Sequence, residues 1–209
     1  MQTTPLTLMS VKRNRGRATL TLSNGETLCM PRAMLKERPY RGGVPFDKPA
    51  FDAFLRERSY PFAMEKAVAM LAVRARTVRE LRDALAENAY PPATIDRVIE
   101  RLDDAGYVDD ADFAVHWASA RAAKGLGSRR IQMELRRKGV DAEVIAQTMD
   151  ELSEDEQWNA ALSAARKAAR GKDLSSPQDR QKVLAALARR GFDFSLARRA
   201  MQQLRSEEE

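Results

Sequence analysis

Apolar positions recur along this chain at a spacing of about fifty residues. The first copy of the pattern comprises Leu81, Leu85, Ala89, Tyr90, Ile95, Ile99 and Leu102. A step of fifty residues leads to Ile131, Leu135, Gly139, Val140, Ile145, Met149 and Leu152, and a further step of fifty-two leads to Val183, Leu187, Gly191, Phe192, Ala197, Met201 and Leu204. A repeat of this period predicts stacked helical units, an architecture more typical of binding proteins than of a single enzyme core.

The first sixty residues follow a different pattern. Ala18, Leu20 and Leu22 alternate with polar residues, which is the period of a half-buried β-strand. The turn-forming residues 23–26 follow, and residues 27–30 return as a second strand. The Asn-Gly pair in this turn is typical of type I′, so the segment predicts a β-hairpin.

Short helices are predicted after the hairpin. Pro31 starts the first of them, and a second covers residues 49–58 with Phe51 on its apolar face. Pro61 is expected to end this second helix, because a proline inside a helix removes a backbone hydrogen bond. From Pro61 onward the pattern predicts only helices.

Each copy of the repeat is predicted to hold three helices. Thr77 and Ser153 are each followed three residues later by glutamate, the spacing of a capping box. Ser128, Asp141 and Ser195 are also predicted helix N-caps. Two glycines fall where a helix would end in a left-handed residue, and Pro91-Pro92 is expected to replace them in the first copy. These glycines are Gly139 and Gly191.

The predicted fold is mainly α, a tandem array of three three-helix repeats that forms an elongated curved solenoid with a small N-terminal β-hairpin and helix extension. The extension covers residues 1–60. The repeats cover residues 61–110, 111–153 and 154–209, and the last of these includes an acidic tail.

Composition is that of an ordered, helix-rich protein, with 44% hydrophobic and 32% charged residues. The single Cys29 excludes an internal disulfide and indicates a reducing compartment. The sequence has no apolar run of the length needed to cross a bilayer and no apolar signal segment at its start. A cytoplasmic protein is therefore expected. We also expect it to be a monomer.

Residues suited to catalysis are scarce. His116 is the only histidine, and no phosphate-binding glycine motif is present. Residues 125–128 precede a helix whose N–H groups could hold a phosphate, but a plain loop is the favoured interpretation. The aspartates of residues 103–112 lack the alternation of a calcium loop. We expect neither a catalytic site nor a metal site nor a cofactor.

Positive charge is concentrated at the two ends of the chain. The net charge is +6, with eleven basic and five acidic residues in 1–60 and eleven basic and six acidic residues in 157–209. The segment between them is acidic overall. An uneven charge of this kind indicates an anionic partner.

The helix over residues 128–138 carries the clearest basic face. Ile131 and Leu135 lie on one side, whereas the arginines lie on the other around Met133. An apolar residue amid guanidinium groups suits either a partner contact or packing on the next unit. Basic residues also lie opposite the apolar stripes of later helices. The candidate contacts are Arg129, Arg130, Met133, Arg136, Arg137, Lys167, Arg170, Lys182, Arg189, Arg198 and Arg199.

The first two copies of the repeat contain several distinctive segments. They are Arg79-Glu80-Leu81 with Leu85, the run Leu102-Asp103-Asp104-Ala105-Gly106-Tyr107-Val108-Asp109-Asp110 with Phe113-Ala114, and Arg121, Gly125-Leu126-Gly127, Ile131, Glu134-Leu135 and Lys138-Gly139. In combination these segments resemble the RecX family of recombination regulators. The hairpin is similar to an N-terminal extension found in some members.

The resemblance implies a non-enzymatic modulator of the RecA recombinase. Such a protein would lie in the groove of the RecA nucleoprotein filament and inhibit its recombinase, ATPase and coprotease activities, and thereby modulate DNA repair and the SOS response. Weaker binding to single- or double-stranded DNA through the basic faces is also expected. The contact residues themselves rest on charge and helical phase, not on the resemblance.

Two other classes of protein remain as alternatives. A helical DNA-binding transcriptional regulator would need a recognition helix that reads base edges. A protein-only scaffold would have no affinity for DNA. Phosphate contacts weaken steeply as salt rises, so a salt titration of DNA binding separates these classes.

Overall fold

The computed structural model describes residues 5–208, which form two compact units divided between Asp109 and Asp110. The first unit contains β1 (Thr7–Arg13), β2 (Arg17–Leu22), β3 (Thr27–Pro31), a 3-10 helix (Arg32–Lys36), β4 (Val44–Pro45), α1 (Lys48–Leu71), α2 (Val78–Glu87) and α3 (Pro92–Asp104). The second contains α4 (Asp110–Ala123), α5 (Ser128–Arg137), α6 (Ala142–Glu151), α7 (Glu154–Ala169), α8 (Pro177–Arg189) and α9 (Phe194–Glu208). Among these helices, none is both long and apolar enough to span a membrane.

The N-terminal extension is a four-stranded antiparallel sheet with the strand order β3-β2-β1-β4. The predicted hairpin is confirmed as β2 and β3, and Ala18, Leu20 and Leu22 point into a core with Phe51 of α1. Strands β1 and β4 were not predicted. The register of β1 shifts between Leu8 and Ser10, and such a bulge breaks the alternation that identifies a strand.

The predicted type I′ turn is wrong. That turn needs a positive φ at both central residues, but in this loop only Gly25 has one, at 84°. The N–H of Gly25 donates to the carbonyl of Leu22 at 3.0 Å, and the N–H of Glu26 donates to the side chain of Asn24 at 3.0 Å. These bonds form a longer loop in which a left-handed glycine follows an ordinary turn.

The predicted helix break at Pro61 is also wrong, because α1 continues through this residue for 24 residues in total. Pro61 lies on the exposed side of α1. Buried residues on both sides of it hold the helix in place, since Phe51 packs on the sheet and Ala63 and Ala67 pack on α2 and α3. Tertiary packing therefore outweighs the lost hydrogen bond of the proline.

The first repeat has a core of its own. Leu81 and Leu85 of α2 and Val98 of α3 are fully buried against α1. A hydrogen bond between the buried hydroxyls of Ser59 and Thr94, 2.6 Å long, joins α1 to α3. Buried hydroxyls need such partners, so this bond fixes the pairing of the two helices.

The second unit has one core that includes residues of all six helices from α4 to α9. Ile131 and Leu135 of α5 and Val183 and Leu187 of α8 are fully buried in it. The tandem three-helix organisation read from the apolar pattern is confirmed. The predicted repeat boundaries stay a prediction.

Two of the predicted helix caps are confirmed. Thr77 accepts the N–H of Glu80 at 3.1 Å, and Ser153 forms a full capping box with Glu156. A capping box satisfies two backbone donors that the helix itself cannot pair.

Asp141 is the N-cap residue of α6, as predicted, although its side chain makes no hydrogen bond to the helix. The other two predicted caps are wrong. Gly127 rather than Ser128 precedes α5. Asp193 rather than Ser195 caps α9, because its carboxylate accepts the N–H of Leu196 at 2.9 Å. A carboxylate also suits the positive end of the helix.

One left-handed residue ends the second helix of every repeat. Gly139 and Gly191 have φ values of 82° and 89°, as predicted. In the first repeat Ala89 adopts this conformation with a φ of 64°, and Pro91 and Pro92 instead begin α3. The expectation that the prolines replace the glycine is therefore wrong.

We predict that Ala89→Gly stabilises the protein by about 0.5–1 kcal/mol, because glycine adopts a positive φ without the steric cost that a Cβ brings. Urea unfolding followed by circular dichroism measures the change. Ala86→Gly, at an exposed position inside α2, is the matched control and should destabilise by a similar amount. Destabilisation by both changes would contradict the prediction.

Candidate partner-binding surface

The α5 arginines form an exposed face, as their helical phase predicts. Ile131 and Leu135 are fully buried, whereas Arg129, Arg136 and Arg137 are exposed. Within residues 5–208, none of these three arginines has a carboxylate within ion-pair distance. Met133 is half-buried on the same face. We call Arg129, Met133, Arg136 and Arg137 the α5 face.

Arg130 has a different role from its neighbours. Its Nε lies 3.4 Å from the carboxylate of Glu134, which also accepts a 2.7 Å bond from Arg121. Its backbone packs so closely on Gly191 that a Cβ at that glycine would overlap it. Arg130 therefore connects α5 to α4 and to the α8–α9 turn, and its charge lies at the margin of the α5 face.

The remaining candidate cations lie on the other helices of the second unit. Arg189 and Arg198 are exposed, as are Lys167 and Arg170 near the C-terminal end of α7. Lys182 is exposed too, but it pairs with Asp179 at 2.8 Å.

Arg199 and Arg170 lie beside clefts of this unit. The guanidinium of Arg199 stacks over Trp158 at 4.6 Å from the ring centre, and both residues line a cleft of about 370 Å³. Arg170 lines a second cleft, of about 410 Å³, together with Arg166. Arg166 is paired with Glu207 at 3.0 Å, so the second cleft is not purely basic.

Contacts between α5 and the α8–α9 turn bring some of these residues together. The N–H groups of Gly127 and Arg129 donate to the carbonyls of Arg190 and Gly191 at 2.9 and 3.1 Å. These bonds place Arg129 close to Asp193. Hydrogen bonds from Ser195 and from the Leu196 N–H lower the pKa of the Asp193 carboxyl, and the charge of Arg129 adds a smaller effect in the same direction. A continuous groove through α7 and α9 stays a prediction.

The same contacts decide the interpretation of residues 125–128. A phosphate at this helix start would need free N–H groups. Those of Gly127 and Arg129 already have carbonyl partners, and the carbonyl of Gly125 accepts a 3.2 Å bond from Arg190. The loop fastens two repeats together, in agreement with the favoured interpretation.

No cluster of three or more His, Cys, Asp or Glu side chains suited to a metal occurs in the residues that the structure describes. His116 is an exposed residue whose Nδ1 lies 3.3 Å from a carboxylate oxygen of Asp112. Cys29 is exposed on β3.

Several motif residues behind the family resemblance form a structural network. Phe113 and Trp117 of α4 stack with ring centres 5.6 Å apart. Arg121 and Lys138 lie over the Trp117 ring at 4.0 and 4.1 Å, and Arg121 is paired with Glu134. These contacts hold α4 against α5, so this part of the motif describes packing rather than a binding site.

Two exposed aromatic side chains were not among the predicted contact residues, although Tyr107 lies in one of the segments behind the family resemblance. Tyr107 is 70% exposed in the turn after α3, although its neighbour Val108 is buried. Phe194 is 68% exposed at the start of α9. Exposed aromatic rings are frequent anchors of protein interfaces.

Three family models match this chain in order. The first, second and third three-helix domains of RecX match residues 63–102, 109–149 and 154–201. A regulatory protein RecX of Amycolatopsis mediterranei is 38% identical over 145 residues, which cover 68% of this chain and 82% of that protein. Another, of Mycolicibacterium smegmatis, is 36% identical over 174 residues, which cover 78% and 91%.

Solved structures agree on the fold. A crystal structure of regulatory protein RecX aligns with a TM-score of 0.62 at 19% identity and covers 91% of this chain and 96% of that one. RecX from Lactobacillus salivarius aligns with a TM-score of 0.65 at 20% identity and covers 70% and 96%. The fold and the matches together define a regulatory protein built from tandem three-helix domains. The chain belongs to the RecX family.

Proposed function

We propose that this protein is a non-enzymatic regulator that binds the RecA nucleoprotein filament and inhibits its recombinase, ATPase and coprotease activities. It acts as a monomer in the cytoplasm and modulates DNA repair and the SOS response. Membership of the RecX family and the resemblance of the motif segments support the partner. The protein works by occupancy, so inhibition follows its molar ratio to the filament.

The α5 face carries this proposal. Its three arginines are exposed and form no ion pair with a carboxylate of the described residues, although the charge of Arg129 acts on nearby Asp193. Arg136 and Arg137 in particular have their charge available to a partner. Met133 supplies apolar surface among them. A filament of protein and DNA offers both phosphates and acidic side chains, and guanidinium groups bind either one through paired hydrogen bonds.

We predict that Arg129→Glu, Arg136→Glu and Arg137→Glu together lower co-sedimentation with preformed RecA filaments by about tenfold or more, because each reversal replaces an attraction with a repulsion. The helix should stay folded, since exposed changes usually alter stability by less than about 0.5 kcal/mol each. Circular dichroism checks the helix content.

A matched variant controls for overall charge. Arg41→Glu, Arg56→Glu and Arg101→Glu make the same charge change at exposed positions of the first unit. This control should sediment like the unmodified protein. Equal loss in both variants would assign binding to net charge alone, and unchanged binding of the α5 variant would remove this helix from the interface.

Titration of RecA ATPase activity tests the mode of action. Hydrolysis by a preformed filament should fall as the protein is added, and the fall should saturate at a fixed ratio to filament sites. Raised salt should relieve the inhibition, since contacts to phosphate weaken with ionic strength. An untouched ATPase at large molar excess, or ATP hydrolysis by the purified protein itself, would contradict the proposal.

A further inference from the structure

A basic cleft lies in the first unit, outside the surface described above. It has a volume of about 500 Å³, opens to solvent, and is enclosed by the β1–β2 turn, the 3-10 helix, α1 and the end of α2. Five cationic side chains line it. They are Arg13, Arg15, Arg32, Lys36 and Lys66.

The walls of this cleft are held together by close contacts. Gly16 in the β1–β2 turn packs on Asn88 at the end of α2, where a Cβ at Gly16 would overlap the amide side chain. The N–H of Arg32 donates to the carbonyl of Gly16 at 3.0 Å, and its guanidinium donates to the carbonyl of Asn14 at 3.4 Å. The amide of Asn88 is fixed in turn by a bond to the carbonyl of Ala84. The sheet and the first repeat therefore form one cleft of defined shape.

The charge of the cleft is not neutralised. In the described part of the chain, none of its five cations has a carboxylate within ion-pair distance, although all five are exposed. Five other cations of this unit do have such partners. The pairs are Lys48 with Asp52, Arg58 with Glu37, Arg74 with Glu80, Arg79 with Asp83, and Arg82 with Asp96. Five like charges around one cleft repel each other, and an anionic ligand relieves that repulsion.

Tyr90 forms the floor of the cleft and adds no charge to it. Its hydroxyl donates to the carbonyl of Phe62 at 3.1 Å. Burial, with a smaller effect from the charge of Glu65, raises the pKa of Tyr90 to about 12. Tyr90 as a whole is only 6% exposed, so it offers no ring face on which a base could stack.

We propose that this cleft binds the phosphodiester backbone of a nucleic acid. Three arginines supply planar donor groups that match phosphate oxygens, and the two lysines add point charges. The cleft opens to solvent, so the backbone of a longer strand can enter it. Because no stacking surface is offered, the contacts are made to the backbone and are independent of base sequence. This site requires no RecA and stands apart from the proposal above.

Fluorescence anisotropy with labelled single- and double-stranded oligonucleotides, without RecA, tests the cleft. The variant Arg15→Ala, Arg32→Ala and Lys36→Ala should bind about tenfold or more weakly at low salt. The slope of log affinity against log salt should also fall in magnitude by about 2 to 3. Each lost phosphate contact removes about 0.7 from this slope for a single strand and about 0.9 for a duplex, and the variant removes three cations. The control Arg41→Ala, Arg56→Ala and Arg101→Ala removes equal charge outside the cleft and should leave the slope nearly unchanged.

Lysine acetylation rates supply a second measurement. Bound oligonucleotide should slow acetylation of Lys36 and Lys66 but not of Lys48, which lies outside the cleft and pairs with Asp52. Equal weakening by both triple variants, or no protection of these lysines, would overturn the proposal. Polyglutamate serves as a model of an acidic protein. If it bound the unmodified protein more tightly than the oligonucleotides do, and if only the cleft variant bound it more weakly, the cleft would be assigned to an acidic protein instead. These measurements contain no RecA. They would therefore test the cleft equally well if the protein failed to co-sediment with RecA filaments.

Discussion

Leu135→Ala and Leu187→Ala should each lower the free energy of unfolding by about 2–5 kcal/mol. Both side chains are fully buried, and both belong to the one core of the second unit. Truncation removes apolar contacts and leaves a cavity that the surrounding helices fill only in part. Chemical unfolding of each variant, followed by circular dichroism, measures the loss.

Hydrogen exchange should show where this loss is felt. Because α4 to α9 share a core, either substitution should reduce protection across residues 110–208 and spare the helices of the first unit. Leu85→Ala, in the separate core of the first repeat, is the matched control and should have the reverse effect. Uniform loss of protection from residue 61 onward in every variant would instead indicate a single cooperative core.

The repeat was predictable from sequence because equivalent positions in each copy are buried and therefore hold apolar residues. Leu85, Leu135 and Leu187 occupy equivalent positions and are all fully buried, so selection for apolar side chains repeats with the structure. The left-handed turn repeats as well, although the first copy places Ala89 where the others have glycine. An alanine does not indicate a left-handed residue in the way that a glycine does, so this turn could be identified only from the φ of Ala89 in the structure.

Long-range packing explains the errors in the N-terminal extension. A proline is a local helix breaker, yet Pro61 stays inside α1 because buried residues before and after it bind two different cores. Strand β1 has Leu8 buried but Met9 exposed beside a bulge, and it pairs with β4, which lies about thirty residues further along the chain. Neither pairing nor bulge leaves a periodic trace in the sequence.

Charge pairing limits how far a binding surface can be read from sequence. Helical phase placed Arg129, Arg136 and Arg137 on an exposed face correctly. The pairing of Arg130 with Glu134 follows the usual spacing of four residues and could have been noticed. The basic cleft could not have been predicted, because its residues come from positions 13 to 90 and meet only through the docking of the sheet on the first repeat.

The contact of α5 with the α8–α9 turn should be the most sensitive point of the second unit to added volume. A Cβ at Gly191 would overlap the backbone of Arg130, and a Cβ at Gly127 would overlap the backbone of Gly191 and Phe192. Gly191→Ala should cost about 2–5 kcal/mol, because it adds the strain of a positive φ to the steric overlap. Gly127→Ala should cost about 1–3 kcal/mol from overlap alone, since its φ is −84°.

Gly171→Ala separates the two causes. Gly171 has a φ of 70° and open space around the position of a Cβ, so the substitution should cost only about 1–2 kcal/mol of backbone strain. Urea unfolding should therefore rank Gly191→Ala as the most destabilising of the three. The double variant Gly127→Ala with Gly191→Ala should depart from additivity by about 0.5–3 kcal/mol, because both residues act at one contact. Additive losses of unfolding free energy in the double variant, or equal losses for Gly171→Ala and Gly191→Ala, would contradict the prediction. Either result would mean that this contact does not hold the two repeats together.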